Sequence, residues 1–331
     1  MRVCLAILVG CLLGAGGTDA ADSNATVVAW QAPTKDWPSA LWVYKVVPGY
    51  FPPAVISNLL AMASFSMAET QSVPGKPGYE NDKIPPLYFA TGDGKRHLGI
   101  APSFGYVEYR DSTVEGSVGQ RCVGVPTDEE AYPLALGYLR KFGIDRSQLA
   151  SKPSTNAYTG KDDLGIRREI RSRDWIDKKT RETVEDVYGR GIFFVRRIDG
   201  LDVEGIVKGG VYICFGEHSK ISELKITWRG LEPFELRPTV TPDQIVAEIR
   251  LGHARWRPYQ IGAVRKTTVF GFELFYRGQP GDTEPEKLRP YVEPYAVVYA
   301  SLSDGSTNEL KCFAEMPVLG ATGRTDQRTA K

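Results

Sequence analysis

The sequence predicts a mixed α+β fold in which curved antiparallel sheets are each crossed by a helix. Three helical patterns are separated by segments in which apolar residues recur at every second position, as they do along strands. The connections between these segments are short and rich in turn residues, so neighbouring strands should pair antiparallel. Among the 331 residues, 42% are hydrophobic and 24% are charged, which is typical of a globular protein.

The helices are predicted from the residues that would begin them. Two follow a threonine with an acidic or amide side chain three positions later, which is the pattern of a capping box. The other follows a pair of prolines. The predicted helices are 54–67, a helix from Thr127 to a stop at Gly143, and a helix from Thr241 to a stop at Gly252.

Strands are predicted where the apolar period is two. Glycine-containing turns such as Asp304-Gly305 separate several of them. The predicted strands are a hairpin over 87–100, then 106–109, 165–175, 191–198, 210–215, 221–228, 267–276, 296–302 and 309–313.

These patterns divide the chain into three helix-plus-sheet units behind an N-terminal leader. The predicted divisions are a signal peptide (1–21), an exposed leader (22–40), an N-terminal unit (41–126), a central unit (127–240), a C-terminal unit (241–319) and a flexible tail (320–331).

The N-terminus predicts export to the periplasm or the extracellular space. Arg2 precedes an apolar run over 3–13, and small residues continue to Ala21, which is the order of a signal peptide. That run is too short to cross a bilayer, which needs ~20 residues, and no transmembrane segment is predicted elsewhere. In the alternative interpretation, residues 8–11 resemble a lipobox and Cys11 would carry a lipid anchor.

Charge excludes two classes of partner. The chain has 41 basic and 40 acidic residues and a net charge of +1. A general nucleic-acid-binding protein would carry a concentrated basic excess, and electrostatic docking to anionic lipid would need one as well.

The sequence leaves the state of the cysteines open. Cys122, Cys214 and Cys312 remain after signal removal. Export makes a disulfide chemically possible, and an odd number allows at most one within the chain. All three could equally be buried thiols that pack as small hydrophobic groups.

Three segments resemble the PepSY and YycH/YycI-like exported bacterial domains. They are the strand–turn–strand pattern from Ile192 to Val203, the strand 221–228 and the closing strand 294–300. The resemblance covers about 127–317. It implies a cystatin-like helix-on-sheet fold and a role in regulating other envelope proteins. The sequence departs from that group because no transmembrane anchor is predicted, which argues against a membrane-sensor role.

No catalytic, cofactor-binding or metal-binding residue is predicted, and no cofactor is expected. His97, His218 and His253 lack the spacing of a zinc motif, and nucleotide-binding and nucleophile-elbow motifs do not occur. The densest carboxylate groups, 162–163 and 182–186, are interpreted as solvated turns or strand edges. A triad or a carboxylate pair assembled from distant residues stays open.

Arginines form the most distinctive charged group. On a strand, Arg167, Arg171 and Arg173 would share one face, with Arg168 on the other. With Arg196 and Arg197 on a neighbouring strand they could form a basic patch for an anionic partner. The favoured alternative is cross-strand pairing with the glutamates and aspartate of 182–186.

Aromatic residues offer a second candidate surface. They are Trp30, Trp37, Trp42 and Tyr44 before the first helix, and Trp256 and Tyr259 within 255–259 after the third. Exposed, they could stack on sugars or anchor a protein. The favoured interpretation is that they fill the ends of the core.

The sequence therefore predicts an exported, non-catalytic binding or regulatory module. Its expected partner is another envelope or secreted protein. Catalysis is less expected, because no catalytic constellation is visible. The alternatives are an envelope hydrolase with a dispersed active site and a carbohydrate- or cell-wall-binding protein.

Overall fold

The structure describes ten segments of the chain. The computed structural model describes residues 26–35, 37–47, 51–71, 86–102, 105–151, 165–204, 210–257, 264–277, 291–305 and 309–319. The predicted signal peptide with the Cys11 alternative, the predicted tail 320–331, the carboxylates of 162–163 and Tyr259 lie outside these residues.

The described residues form three α-helices and fifteen strands. The helices are α1 (Pro53–Ala63), α2 (Asp128–Lys141) and α3 (Pro242–Arg250). The strands are β1 (Val27–Trp30), β2 (Ala40–Val47), β3 (Leu87–Ala90), β4 (Arg96–Ala101), β5 (Tyr106–Asp111), β6 (Ile166–Ile176), β7 (Thr183–Val195), β8 (Arg197–Ile198), β9 (Leu201–Glu204), β10 (Gly210–Phe215), β11 (Ile221–Thr227), β12 (Gly230–Pro238), β13 (Lys266–Arg277), β14 (Tyr291–Ser303) and β15 (Glu309–Pro317).

The prediction of cystatin-like α+β units, with one helix crossing each sheet, was wrong. The described residues are mostly β, with 51% in strands and 20% in helices, and they form two large sheets, one of them a half-barrel. One sheet has eight strands, with β12-β2-β14-β13-β9-β8 in order, β1 beside β13 and β15 beside β14. The other has seven strands, in the order β3-β4-β5-β11-β10-β7-β6.

Long-range strand pairing explains the error. The prediction paired strands that are neighbours in sequence. Instead, β5 pairs with β11, placing Tyr109 opposite Leu224, and β2 pairs with β12, placing Trp42 opposite Leu236. Strands from 41–126 and from 127–240 therefore share the seven-stranded sheet. A single sequence shows which residues alternate but not which distant strand each one meets.

Each sheet buries apolar side chains against helices. Helices α1 and α2 supply Leu59 and Leu139 to a core that includes Leu98, Ile213 and Leu224 of the seven-stranded sheet. Helix α3 packs its apolar stripe against the eight-stranded sheet in a second core. The seven-stranded sheet therefore packs against two helices and the eight-stranded sheet against one, and each helix buries its apolar face in this way.

Local sequence signals are confirmed where they concern helix ends. Thr127 and Thr241 each accept a hydrogen bond from the backbone N–H three residues on, and both capping boxes form. Gly143 and Gly252 have φ values of +68° and +74° beyond the helices they end. Left-handed backbone of this kind favours glycine because it lacks a Cβ.

Most predicted strands exist, but three were missed. The hairpin over 87–100 and the strand 210–215 are present. The missed strands are β1, β2 and β12. An exposed leader was expected over 22–40, whereas β1 pairs in parallel with β13 and its Val28 is buried.

The turn between β8 and β9 is held to the centre of the eight-stranded sheet. The hydroxyls of Tyr44 and Tyr276 both donate to Asp199 Oδ2, and their rings pack edge to face with centroids 5.3 Å apart. Burial, reinforced by Asp199, raises the pKa of both tyrosines. These contacts join β2 and β13 to the turn, where Asp199 has a φ of +50°.

A buried arginine occupies the junction between the two sheets. Arg196 follows β7 of the seven-stranded sheet and precedes β8 of the other, and its side chain is 6% exposed. It donates to the carbonyl of Arg229, which links β11 to β12, and to Gln148 Oε1 at 3.0 Å. Its guanidinium lies 4.4 Å from the ring centroid of Trp228. Burial lowers its pKa to about 10, so it remains a cation at neutral pH.

Replacing Arg196 with alanine should reduce the free energy of unfolding by about 3 kcal/mol. The buried acceptors lose their donors, which costs roughly 1–3 kcal/mol, and the packing over Trp228 is lost. Urea unfolding followed by circular dichroism measures the change. The matched control is Arg197→Ala, which breaks a more exposed pair with Asp202 and should cost less than about 1 kcal/mol. Equal losses in both variants would contradict a special role for Arg196.

Candidate functional site

The predicted arginine face lies on β6 and is neutralised there. Strand pairing places Arg173 opposite Asp186, and Arg173 Nη2 lies 3.1 Å from Asp186 Oδ2. The favoured prediction of cross-strand pairing is confirmed for this pair. The other carboxylate oxygen, Asp186 Oδ1, accepts a hydrogen bond from the backbone N–H of Cys122 at 2.9 Å. Both oxygens of Asp186 are therefore engaged.

Arg171 is the centre of a second compensated group. Its Nε donates to Glu169 Oε1 at 3.0 Å, and its Nη2 donates to Glu223 Oε2 at 2.7 Å and to the Tyr212 hydroxyl at 2.8 Å. The guanidinium also lies over the Tyr212 ring. A Cβ at Gly191 would stand 2.6 Å from that hydroxyl, so glycine makes room for the tyrosine.

Arg196 and Arg197 do not extend this face into one basic surface. Arg196 is buried at the sheet junction, and Arg197 Nε lies 2.8 Å from Asp202 Oδ1. Arg167 lies over the Phe193 ring, and Arg168 is exposed on β6. Because Arg171, Arg173 and Arg197 are paired with acidic groups and Arg196 is buried, the six arginines do not form one cationic patch.

Most of the aromatic residues noted in the sequence pack against the core, which is the interpretation that the sequence favoured. Trp30 and Trp37 pack on Phe272, with centroid distances of 6.0 and 4.8 Å, and their own planes are 79° apart. Trp256 packs against the same core. Trp42 is 37% exposed. The coplanar exposed rings that sugar stacking needs are therefore not formed by this group.

The three histidines lie on separate elements. His97 on β4 stacks with Tyr88, and His218 lies in the short 217–219 turn. His253 follows α3, where its Nδ1 is 2.7 Å from Glu248 Oε2. Within the described segments, no group of three or more His, Cys, Asp or Glu side chains could hold a metal ion.

The cysteines Cys122, Cys214 and Cys312 are free thiols in the structure, and the last two are buried. Cys122 lines a hollow of about 280 Å³, where its Sγ donates to the carbonyl of Glu115 at 3.1 Å. Burial, together with Asp186, raises the pKa of Cys122 to about 11. Since the thiolate is the nucleophile, this thiol is poorly suited to attack at neutral pH.

A well-defined concavity formed by described residues lies beside α3, at the ends of β12 to β15. This cleft has a volume of about 830 Å³, within the range of ligand-binding sites. Its charged lining consists of Arg237, His253, Arg255, Arg257, Arg277, Glu248, Glu293 and Glu315. Apolar side chains such as Ile245 and Met316 contribute the floor.

The three glutamates of the cleft are each satisfied by a nearby basic residue. Glu315 Oε2 lies 2.7 Å from Arg277 Nη1, and Glu293 Oε1 lies 3.7 Å from Arg237 Nη1. Glu248 pairs with His253. The acidic groups of the cleft are thus engaged by its own lining.

Arg255 and Arg257 differ from the paired charged residues of the cleft. Both are exposed and line the cleft, and neither guanidinium has an ion pair or hydrogen bond within the described part of the chain. Their position is set by the backbone, because Arg257 exchanges two hydrogen bonds with Phe313 of β15, at 2.9 and 3.1 Å. Trp256 between them turns into the core. Two guanidinium groups that no described residue compensates therefore line the cleft.

Sequence reasoning missed this site although a signal was present. The segment 255–257 was noted for its tryptophan. Alternation in an extended segment places Arg255 and Arg257 opposite to Trp256, so burial of the ring predicts exposure of both arginines. The glutamates and Arg277 on the other wall come from strands whose pairing the sequence does not show.

The comparisons with known proteins add no functional information. No protein-family model and no curated protein match the chain. A solved structure of an uncharacterized protein from Eubacterium rectale ATCC 33656 is similar, with 12% identity and a TM-score of 0.45, covering 88% of this chain and 86% of that one. The resemblance to PepSY and YycH/YycI-like domains stays a prediction. None of the described helices is both long and apolar enough to cross a membrane.

Replacing Glu223 with glutamine should remove a stabilising interaction that depends on pH. Burial alone would raise the pKa of Glu223, but bonds from Lys225 and Arg171 hold it below its usual range. A carboxyl with a lowered folded-state pKa stabilises the fold above its unfolded pKa of about 4.3, and this contribution is lost as the pH falls through the folded value.

The variant should therefore be less stable than the parent at pH 7 by ~1.5 kcal/mol, with a difference that shrinks below about pH 4. Urea unfolding at a series of pH values measures it. Glu232→Gln, at an exposed position on β12, is the matched control and should show little change. A difference that stays constant down to low pH would contradict the assignment.

Proposed function

We propose that this chain is an exported, non-catalytic binding module whose ligand is anionic and occupies the cleft beside α3. The observation that carries the proposal is the pair Arg255 and Arg257, two guanidinium groups that have no partner among the described residues and line a cleft of about 830 Å³. A guanidinium offers a planar fork of donors that matches carboxylate and phosphate groups.

The geometry of the cleft supports binding over catalysis. Its one histidine, His253, is paired with Glu248 at the exposed rim. Two of its glutamates, Glu293 and Glu315, are paired with arginines instead of with each other. A cleft that holds cations in place without an activated nucleophile fits capture of an anion.

The two alternative functions find less support. A carbohydrate-binding surface would need coplanar exposed rings, whereas Trp30 and Trp37 pack on Phe272 with their own planes 79° apart. A hydrolase with a dispersed site would need a histidine or carboxylate pair poised in a cleft, and the cleft carboxylates are engaged by basic residues. The export part of the proposal is supported by the N-terminal signal pattern alone.

The double variant Arg255→Ala/Arg257→Ala should bind anions at least about tenfold more weakly than the parent, the equivalent of losing one charged hydrogen bond. Isothermal titration calorimetry with citrate and with inorganic pyrophosphate measures this, and maltose serves as the neutral probe. Raising the salt concentration should weaken the parent's binding as well.

Two matched controls make the test specific. Arg140→Ala/Arg146→Ala removes two exposed arginines far from the cleft and should leave binding unchanged. Ala247→Trp fills the cleft from the exposed face of α3, and Ala61→Trp places the same ring on α1 of the other sheet. Absence of binding by the parent, equal binding by every variant, or turnover of a test ester or glycoside that Ala247→Trp abolishes would contradict the proposal.

A further inference from the structure

The cleft runs along an open edge of β15. On one side β15 pairs with β14 over its whole length. On the other side, among the described residues, it has an isolated bridge between Arg257 and Phe313 and another, just beyond its end, between Thr239 and Leu319. Glu315 and Pro317, between the two bridges, line the cleft. Between the two bridges, no described strand pairs with this edge of β15.

Strand geometry leaves Glu315 with backbone groups that face the cleft. In an antiparallel pair, alternate residues direct both their N–H and C=O to the same neighbour. Phe313 directs both groups to Arg257, so Glu315, two residues on, directs both groups away from β14. Pro317 follows the same alternation and has no N–H to leave unpaired. The open edge therefore offers one donor and two acceptors.

We infer that the cleft binds an extended acidic segment of another exported protein, which adds to the edge of β15 as a short strand. Its backbone exchanges hydrogen bonds with Glu315, as added strands do with exposed sheet edges. Its carboxylates meet Arg255 and Arg257, the cleft arginines that have no partner within the described segments. The inference rests on the proposed function, since it names the ligand class of the same site.

Charge complementarity decides the chemistry of this segment. Glu293 and Glu315 pair with Arg237 and Arg277, and Glu248 lies against His253, which is charged only when protonated. With a neutral His253, the four arginines and three glutamates of the lining give the cleft a net charge of +1, and Arg255 and Arg257 are the arginines without a partner among the described residues. These two arginines are two positions apart in an extended stretch, which is the spacing of side chains on one face of a strand. A partner with acidic residues at alternate positions would match both.

The test uses capped pentapeptides of alternating aspartate and valine with the purified full chain. We expect measurable binding by calorimetry. Binding should be at least about tenfold weaker when asparagine replaces aspartate. Two further isomers carry N-methyl groups on alternate backbone nitrogens, one set or the other. Successive N–H groups of a strand point to opposite sides, so only one of the two sets faces β15. The isomer methylated on that set should lose about tenfold in affinity, while the other isomer binds like the parent peptide.

Protein variants locate the interaction. Ala247→Trp and Arg255→Ala/Arg257→Ala should weaken peptide binding at least about tenfold, and Ala61→Trp and Arg140→Ala/Arg146→Ala should not. Two methylated isomers that both bind like the parent peptide would overturn strand addition. So would a cleft-filling variant that binds the peptide normally.

The outcomes separate this inference from the proposed function. Binding of citrate or pyrophosphate without binding of the peptide overturns the acidic-strand inference and leaves anion binding standing. Failure of all anionic probes overturns both. Light scattering of the free protein tests whether a second copy of this chain occupies the cleft. A dimer that the acidic peptide dissociates would show that it does, and would contradict binding of a separate partner protein.

Discussion

The junction between the sheets depends on one buried cation. The chain passes from the seven-stranded to the eight-stranded sheet after β7 and again after β11, and Arg196 contacts both crossings. Its partners are a carbonyl, an amide oxygen and the face of Trp228, none of which carries a formal negative charge. The two oxygens accept from Nη1 and Nη2 without closing an ion pair, while the buried Nε has no hydrogen-bond partner among the described residues. The relative placement of the cleft and the β6 network follows from this junction.

The two sheets use arginine in opposite ways. On the seven-stranded sheet, Arg171 and Arg173 are surrounded by carboxylates, a tyrosine hydroxyl and backbone carbonyls. Charges compensated in this way stabilise a face and leave little field for a ligand. In the cleft, Arg255 and Arg257 have no such partners within the described residues. The same side chain thus serves structure on one sheet and, in our proposal, recognition on the other.

Local signals were sufficient for the helices and for most strands. The boxes at Thr127 and Thr241 form because a side chain and a backbone group only three residues apart satisfy each other, whatever the tertiary fold. The missed strand β12 contains Pro233 and Pro238 and is largely exposed. Its sequence therefore lacks both the buried alternation and the β propensity that make a strand recognisable.

The sequence by itself determined the helix ends, the alternating segments, the packing of Trp30, Trp37 and Trp256 against the core and the near-neutral charge, because these depend on neighbours along the chain. Only the tertiary structure decided that two sheets form instead of three, and that Glu293, Glu315 and Arg277 meet Arg255 and Arg257 around one cleft. Those residues come from strands and a loop joined by long-range hydrogen bonds. Many pairings of distant strands satisfy the same alternation, so packing of the whole chain selects one.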